Sequence, residues 1–297
     1  MASKGLLKTG ADAALPALFL GAIAIAFAPI FVRLSETGPV TSAFYRILLA
    51  LPFLMVWMAS EGKGEGKHER PSGWSDYAKL STAGLFFAGD LAVWHWSIMK
   101  TSVANATLLA NFAPIFVTLA GFVFFKERFS RTFLIGMALA ILGACVLMGD
   151  SIAFRPERIF GDFLGVVTAV FYAGYILSVG KLRGRFSTAT IMAWSGAVTA
   201  AVLLPVALLT GESLAVTSLY GWVILLGLAL ISHTGGQSLI AYALAHLPAA
   251  FSSVGLLLQP ATAAVLAWVL FDEAMGWMQA VGGLIILAGI FLARRGS

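Results

Sequence analysis

Ten stretches of mostly apolar residues, each close to 20 long and separated by short polar breaks, run along the 297-residue chain. A bilayer core is about 30 Å thick and a helix rises about 1.5 Å per residue, so each stretch is long enough to cross it once. They are predicted as helices at 15–34, 38–58, 78–99, 103–125, 131–149, 161–180, 187–209, 218–244, 249–271 and 275–293. Gly and Pro recur inside them, which a membrane helix tolerates because its neighbours satisfy the freed backbone groups. The one sizeable polar stretch, 60–76, is rich in Gly, Glu and Lys; it reads as a flexible cytoplasmic loop without activity of its own.

Composition removes the soluble alternatives. Sixty per cent of residues are hydrophobic, 11% are charged and the mean hydropathy is +0.92, against about 25% charged residues in a soluble domain. Cys145 is the single cysteine, so no disulfide framework or cysteine metal site is available. The first stretch follows Lys4 and Lys8 and contains Ala22 and Ala24, but its apolar run continues past any signal cleavage site and nine more follow, so it is expected to be a retained span.

Basic residues set the orientation, because short cytoplasmic loops carry the excess of Lys and Arg. With the N-terminus inside, the cytoplasmic segments hold Lys4, Lys8, Lys63, Lys67, Arg70, Lys79, Lys126, Arg128, Arg131, Lys181, Arg183, Arg185, Arg294 and Arg295; the outer ones hold Arg33, Lys100, Arg155 and Arg158. Both termini are therefore expected in the cytoplasm. The net charge of +5 then follows from topology and attraction to anionic headgroups, and no nucleic acid is needed as a partner.

The chain repeats itself. Pro114, Glu127, Gly136 and Gly143 recur 146 residues later as Pro260, Glu273, Gly282 and Gly289, with the same internal spacings. Five spans per repeat is an odd number, so the second repeat is expected to cross the membrane in the opposite sense. The predicted organisation is a cytoplasmic N-terminus at 1–14, a first five-helix repeat at 15–149, an outer linker at 150–160, a second, inverted repeat at 161–293 and a cytoplasmic end at 294–297. Inverted repeats give related packings open to either side, the basis of alternating access. Pro114 and Pro260 are candidate kinks, either exposing carbonyls to a cavity or only shaping the packing. The Gly pairs, seven apart on one stripe, read as close helix contacts. Glu127 and Glu273 read as interfacial anchors or caps.

Polar side chains at membrane depth are expensive, roughly 3 kcal/mol for a charge, and each is a candidate site residue by default. Those present are Arg46, Asp90, His95, Asn111, His233, Gln237 and Gln259, drawn from five spans and both repeats. His233 and Gln237 are four apart on one helical face, where they either bind substrate together or bond to neighbouring helices. Asp90 and Arg46 offer a buried ion pair between spans, or opposite charges for the two ends of a zwitterion. Asp90, His95 and His233 are the candidate proton carriers. Trp94 and Tyr175, less close to span ends than Trp96, Trp74, Trp222 and Trp277, add aromatic surface; Tyr172 lies in the same span as Tyr175. No metalloprotease, nucleophile-elbow, Asp-rich diphosphate or nucleotide-loop motif is present, and the four His residues, at 68, 95, 233 and 246, are scattered. No catalytic residue, metal site or cofactor is assigned.

The repeated Pro-to-Gly pattern, with Phe44-Tyr45-Arg46 in the second span, resembles the drug/metabolite transporter superfamily in its ten-helix EamA branch, over about residues 15–293. The resemblance implies an all-α integral membrane protein with a central cavity formed by spans 1 to 4 and 6 to 9, and spans 5 and 10 at the periphery. It also implies a bacterial inner-membrane exporter of small neutral, aromatic amino acids or related metabolites. Export of other metabolites or drugs in the same superfamily, a channel, and a membrane-embedded enzyme are the alternatives. The expected partners are a small-molecule substrate and the lipid bilayer, with a monomer as the expected state.

Overall fold

The computed structural model describes residues 2–61, 68–149, 155–271 and 275–297, and every regular element among them is helical. Helix α1 (Ala2–Ala26) breaks at Phe27 and resumes as α2 (Ala28–Leu34), with Pro29 in the first turn of α2, where its missing amide costs nothing. Then follow α3 (Pro39–Glu61) and α4 (Trp74–Lys100). The next span is interrupted: α5 (Val103–Ala110) stops at Asn111 and α6 (Ala113–Phe125) starts after Phe112, with Pro114 in its first turn. Helix α7 (Arg131–Met148) completes the first half.

A single 3-10 turn, Pro156–Arg158, leads into α8 (Ile159–Leu182), followed by α9 (Thr188–Leu209) and α10 (Leu219–Gly227). The chain continues without a break through a π-helical segment, Leu228–Gln237, into α11 (Ser238–Ala243). Helix α12 (Ala249–Gly255) is offset from α13 (Leu258–Phe271), whose third residue is Pro260, and α14 (Trp277–Gly296) is the last helix. Ser102, Ser130, Ser187 and Ser218 precede α5, α7, α9 and α10, each hydroxyl accepting a hydrogen bond from the amide three residues on, the N-cap geometry that satisfies an orphan donor.

Among the described residues, nine helical stretches are long and apolar enough to cross a membrane. The stretch predicted at 78–99 is part of α4, a continuous helix of 27 residues, about 40 Å long, whose apolar character is diluted by Asp90 and His95. The outer surface is apolar: Val56, Leu119, Phe122, Phe124, Leu208 and Trp268 are all exposed, as side chains facing lipid are.

Glycine decides how two helices meet. Helices α7 and α14 run antiparallel in close contact. A methyl on Gly136 would lie 2.2 Å from the Ala293 nitrogen, one on Gly143 2.6 Å from that of Ile286, and one on Gly282 2.3 Å from that of Leu147. All three are closer than any real van der Waals approach, so only hydrogen fits. Gly21 of α1 and Gly236 of the π-helical segment meet in the same way, a methyl on Gly21 falling 2.8 Å from the Gly236 carbonyl oxygen. Elsewhere α3 packs on α9, α4 on α8 and α9, and α1 on α11 and the π-helical segment, so the principal contacts join the two halves.

Polar contacts tie the halves together at opposite ends of α9. At its start, Arg185 bonds to Asp76 at 2.9 Å and Glu69 at 2.5 Å, and the Glu69 amide donates to the Arg185 carbonyl. Just beyond its end, the Glu212 carboxylate accepts from the amides of Val40 (3.3 Å) and Thr41 (2.7 Å) at the N-terminus of α3, and Tyr45 donates to the Leu214 carbonyl at 2.7 Å. Glu127 folds back over the end of α6, its amide donating to the Gly121 carbonyl with Lys126 left-handed at φ 55°; its repeat counterpart Glu273 lies outside the described residues.

Candidate functional site

A cavity of about 270 Å³ occupies the half of the bundle where α3 begins and α4 ends. Every interruption in the helices borders it. Ala26, Ala28 and Pro29 flank the break at Phe27; Ala110 and Asn111 form the α5–α6 break; Leu228 and Gln237 bound the π-helical segment; Gln259 and Pro260 open α13. Where a helix is broken or over-wound the backbone cannot pack as a smooth cylinder, and π-helical turns recur at functional sites for that reason.

The sequence singles out nine side chains, and seven of them line this cavity: Arg46 from α3, Asp90, Trp94 and His95 from α4, Asn111, Gln237 and Gln259. The hinge candidate Pro260 lines it too, whereas Pro114, one turn beyond Asn111, is buried away from it. Tyr175 and His233 stand behind the wall. Phe87, which does line the cavity, stacks on Tyr175 with ring centroids 4.6 Å apart and on His233 at 5.7 Å, so its ring separates both from the open space. Tyr172, one turn from Tyr175 on α8, takes the lining position and continues the stack at 6.3 Å. Phe87, Thr107, Thr168 and Tyr172 are lining residues that carry no charge or amide to mark them in the sequence.

The polar atoms facing the cavity are under-used. Arg46 is only 9% exposed, yet its Nε has no partner, and it makes no ion pair with Asp90 within 4 Å. The buried ion pair that the sequence offers between these two residues is therefore not formed; they stand as a separate guanidinium and carboxyl group on one wall. His95 donates from Nδ1 to the Leu91 carbonyl at 2.5 Å, and its buried Nε2 makes no hydrogen bond. The Gln259 side-chain nitrogen is likewise unpartnered, although Tyr172 lies beside that amide. The Asn111 side-chain nitrogen has a partner, donating back to the Thr107 carbonyl at 3.0 Å in the last turn of α5. Both ring nitrogens of His233 are without partners behind Phe87. Buried polar atoms are nearly always paired in folded proteins, and five of the nine buried side-chain atoms without a partner among the described residues lie on or directly behind the wall of this cavity.

Apolar side chains make up the rest of the wall, including Ile25, Val32, Leu91, Leu228 and Ala263. A few polar groups amid an apolar majority is the lining that small-molecule sites share. Among the described residues no group of three His, Cys, Asp or Glu has the arrangement of a metal centre.

A polytopic helical bundle with an apolar exterior and a charged, helix-interrupted cavity at membrane depth is a membrane transporter. The chain belongs to the EamA-like transporter family, whose model matches twice, at residues 13–149 and 159–295. It is similar to an uncharacterized transporter of Archaeoglobus fulgidus, with 31% identity over 89% of this chain and 91% of that one. It is also similar to the pseudopaline exporter CntI of Pseudomonas aeruginosa, with 26% identity over 72% and 74% of the two chains. A probable terminal-alkyne amino-acid exporter of Streptantibioticus cattleyicolor matches with 32% identity over 68% and 67%. One solved crystal structure shares the fold at a TM-score of 0.78 and 17% identity, covering 95% of this chain and 97% of that one.

Proposed function

We propose that the chain is a ten-span secondary exporter of small neutral amino acids, aromatic ones among them, working by alternating access between two inverted repeats in a bacterial inner membrane, with both termini cytoplasmic. The observation that carries the substrate class is the pair Arg46 and Asp90: two opposite charges on one cavity wall, without an ion pair between them, match the carboxylate and ammonium of a zwitterion. The unpartnered Nε2 of His95 adds a further polar atom, and Phe87, Trp94 and Tyr172 supply flat apolar surface for a side chain.

The inverted arrangement is supported by the antiparallel contact of α7 and α14, which carry the repeated glycines. The pairing of α7 with α14 and of α3 with α9 maps onto itself when the halves are exchanged, and α4 on α8 exchanges with α11 and the π-helical segment on α1. Ten spans follow if α4 crosses with the other nine. Export is supported by the two relatives named as exporters, one of them for an amino acid. The narrower choice of aromatic substrates rests on the resemblance to the bacterial exporter YddG, carried by the repeat pattern and Phe44-Tyr45-Arg46. The cavity lining stops short of the Arg185 contact, which in this orientation supports an outward-facing state.

Uptake of labelled tryptophan, phenylalanine, methionine and threonine into liposomes holding the purified protein, with and without a pH gradient, tests the proposal. Saturable uptake of at least one that is lost in Arg46→Ala and in Asp90→Asn is the expected result. Saturable uptake indifferent to both substitutions removes the zwitterion site, and no uptake of any of the four removes the amino-acid assignment.

A further inference from the structure

A second cavity, of about 400 Å³, lies between α4 and α8 at the end of the bundle remote from the first, where α4 begins and α8 ends. Three cations reach it, Lys79, Lys181 and Arg185, with the hydroxyls of Thr82 and Ser178, over a floor of Leu182 and Phe186. Arg185 is committed to Asp76 and Glu69. Against these two carboxylates the three cations leave a net positive charge, with Lys79 one turn beyond Asp76 and Lys181 carrying no carboxylate partner within 4 Å among the described residues. Lys181 holds its ammonium 3.8 Å above the Phe125 ring, and Lys79 makes no hydrogen bond or ion pair within 4 Å among the described residues.

What adjoins the pocket identifies its occupant. Lys79 and Thr82 are both exposed or half-buried on one stripe of α4 that continues one turn on to Leu85, itself 53% exposed. Across the pocket mouth, the ring beneath Lys181 belongs to α6, and one turn along that helix Phe122 is 63% exposed. A cationic, hydroxyl-lined pocket thus opens at a helix end directly onto two apolar stripes running toward the middle of the bundle. A free anion has no use for those stripes. A molecule with a phosphate at one end and hydrocarbon at the other fits both. We propose that this pocket binds the phosphodiester headgroup of an anionic phospholipid, Lys79 and Lys181 neutralising the phosphate, Ser178 donating to it, and the acyl chains lying along Leu85 and Phe122.

Native mass spectrometry of the purified full chain in detergent tests this, with dioleoyl phosphatidylglycerol and phosphatidylcholine added at equal concentration. The expected result is selective retention of phosphatidylglycerol, reduced about five-fold by each lysine removed and so about twenty-five-fold in Lys79→Ala/Lys181→Ala. Lys79→Arg/Lys181→Arg and Lys100→Ala, the latter at the far end of α4, are expected to retain it. Unchanged selectivity in the alanine pair, or equal loss in Lys100→Ala, overturns the site. Thr82→Trp, which fills the mouth, is the second variant should the alanine pair not fold; it is expected to lower retention about ten-fold or more, and no change overturns the proposal. Lysine-dependent protection by millimolar inorganic phosphate without lipid selectivity overturns the lipid as ligand and assigns a free phosphate instead.

Discussion

Arg46 of α3 and Asp90 of α4 face one cavity yet do not form an ion pair within 4 Å. Two opposite charges at membrane depth that pair directly would hold the helices together and leave nothing for a ligand; kept apart, each retains bonding capacity. If the pair were structural, its loss would chiefly lower stability. As a ligand site, Arg46→Ala and Asp90→Asn are expected to lower substrate affinity about ten-fold or more each, the value of a charge-assisted hydrogen bond, while the melting temperature in detergent changes little. Substrate titration by calorimetry, set beside thermal melting of the same samples, separates these outcomes.

The contact of α7 with α14 gives a sharper stability test, because neighbouring glycines on α14 face opposite ways. A methyl on Gly282 would lie 2.3 Å from the Leu147 nitrogen, whereas one on Gly283 meets nothing nearer than the Ala261 Cβ at 4.0 Å. Gly282→Ala is expected to destabilise by about 1–3 kcal/mol through forced separation of the helices. Gly283→Ala is expected to be neutral or to stabilise by up to about 1 kcal/mol, since alanine is the better helix former. Equal melting temperatures for the two variants would refute the close-packing assignment.

Much of this site is legible in the sequence for one physical reason. A charge or amide in an apolar stretch is costly, so Arg46, Asp90, His95, Asn111, Gln237 and Gln259 stand out by residue type and position alone, and all line the cavity. Aromatic residues carry no such mark. Tyr172 and Tyr175 are three apart on α8, and a rotation of about 60° about the helix axis decides which of them faces the cavity. Nothing in the composition of α8 fixes that rotation; the stack of Phe87 on Tyr175 does. The placement of His233 depends on the π-helical segment 228–237, whose wider turn shifts the four-residue spacing by which His233 and Gln237 would share a face. Gln237 lines the cavity and His233 does not. The breaks at Phe27 and Asn111–Phe112 sit just ahead of Pro29 and Pro114, so the prolines are plain in the sequence while the loss of helix before them is not.

Asp76, in the first turn of α4 ahead of the span, gives a pH signature. The Ser72 amide, donating at 3.1 Å, and then Arg185 hold its carboxyl below the usual range. A carboxyl lowered in the folded state adds stability above its unfolded value, near pH 4, and loses it as the pH falls through the folded value. Asp76→Asn is therefore expected to melt below the native chain at pH 7, with the two converging as the pH falls from about 4 through the folded value. Parallel melting curves across that range would show that the carboxylate charge is not the stabilising feature.

Arg185 and Glu212 hold the two halves together at opposite ends of α9, and under alternating access they cannot both hold in every state. The cavity lies toward the Glu212 end, with no lining residue contributed by the Arg185 end, so in the proposed alternating-access cycle the Arg185 contact is assigned to the closed gate. Releasing it removes two partly exposed ion pairs and so lowers the cost of opening that end. The substitution Ala43→Cys places a thiol on the cavity wall, and replacing the native Cys145 by alanine makes it the one reporter. An impermeant maleimide applied from the Arg185 side is expected to label that introduced thiol several-fold faster in Arg185→Ala than in the parent, and no faster in Glu212→Ala. Equal rates in all three would mean that the Arg185 cluster fastens a loop without gating the cavity, and the closed end would then have to be held by the packing of α3, α4, α8 and α9 alone.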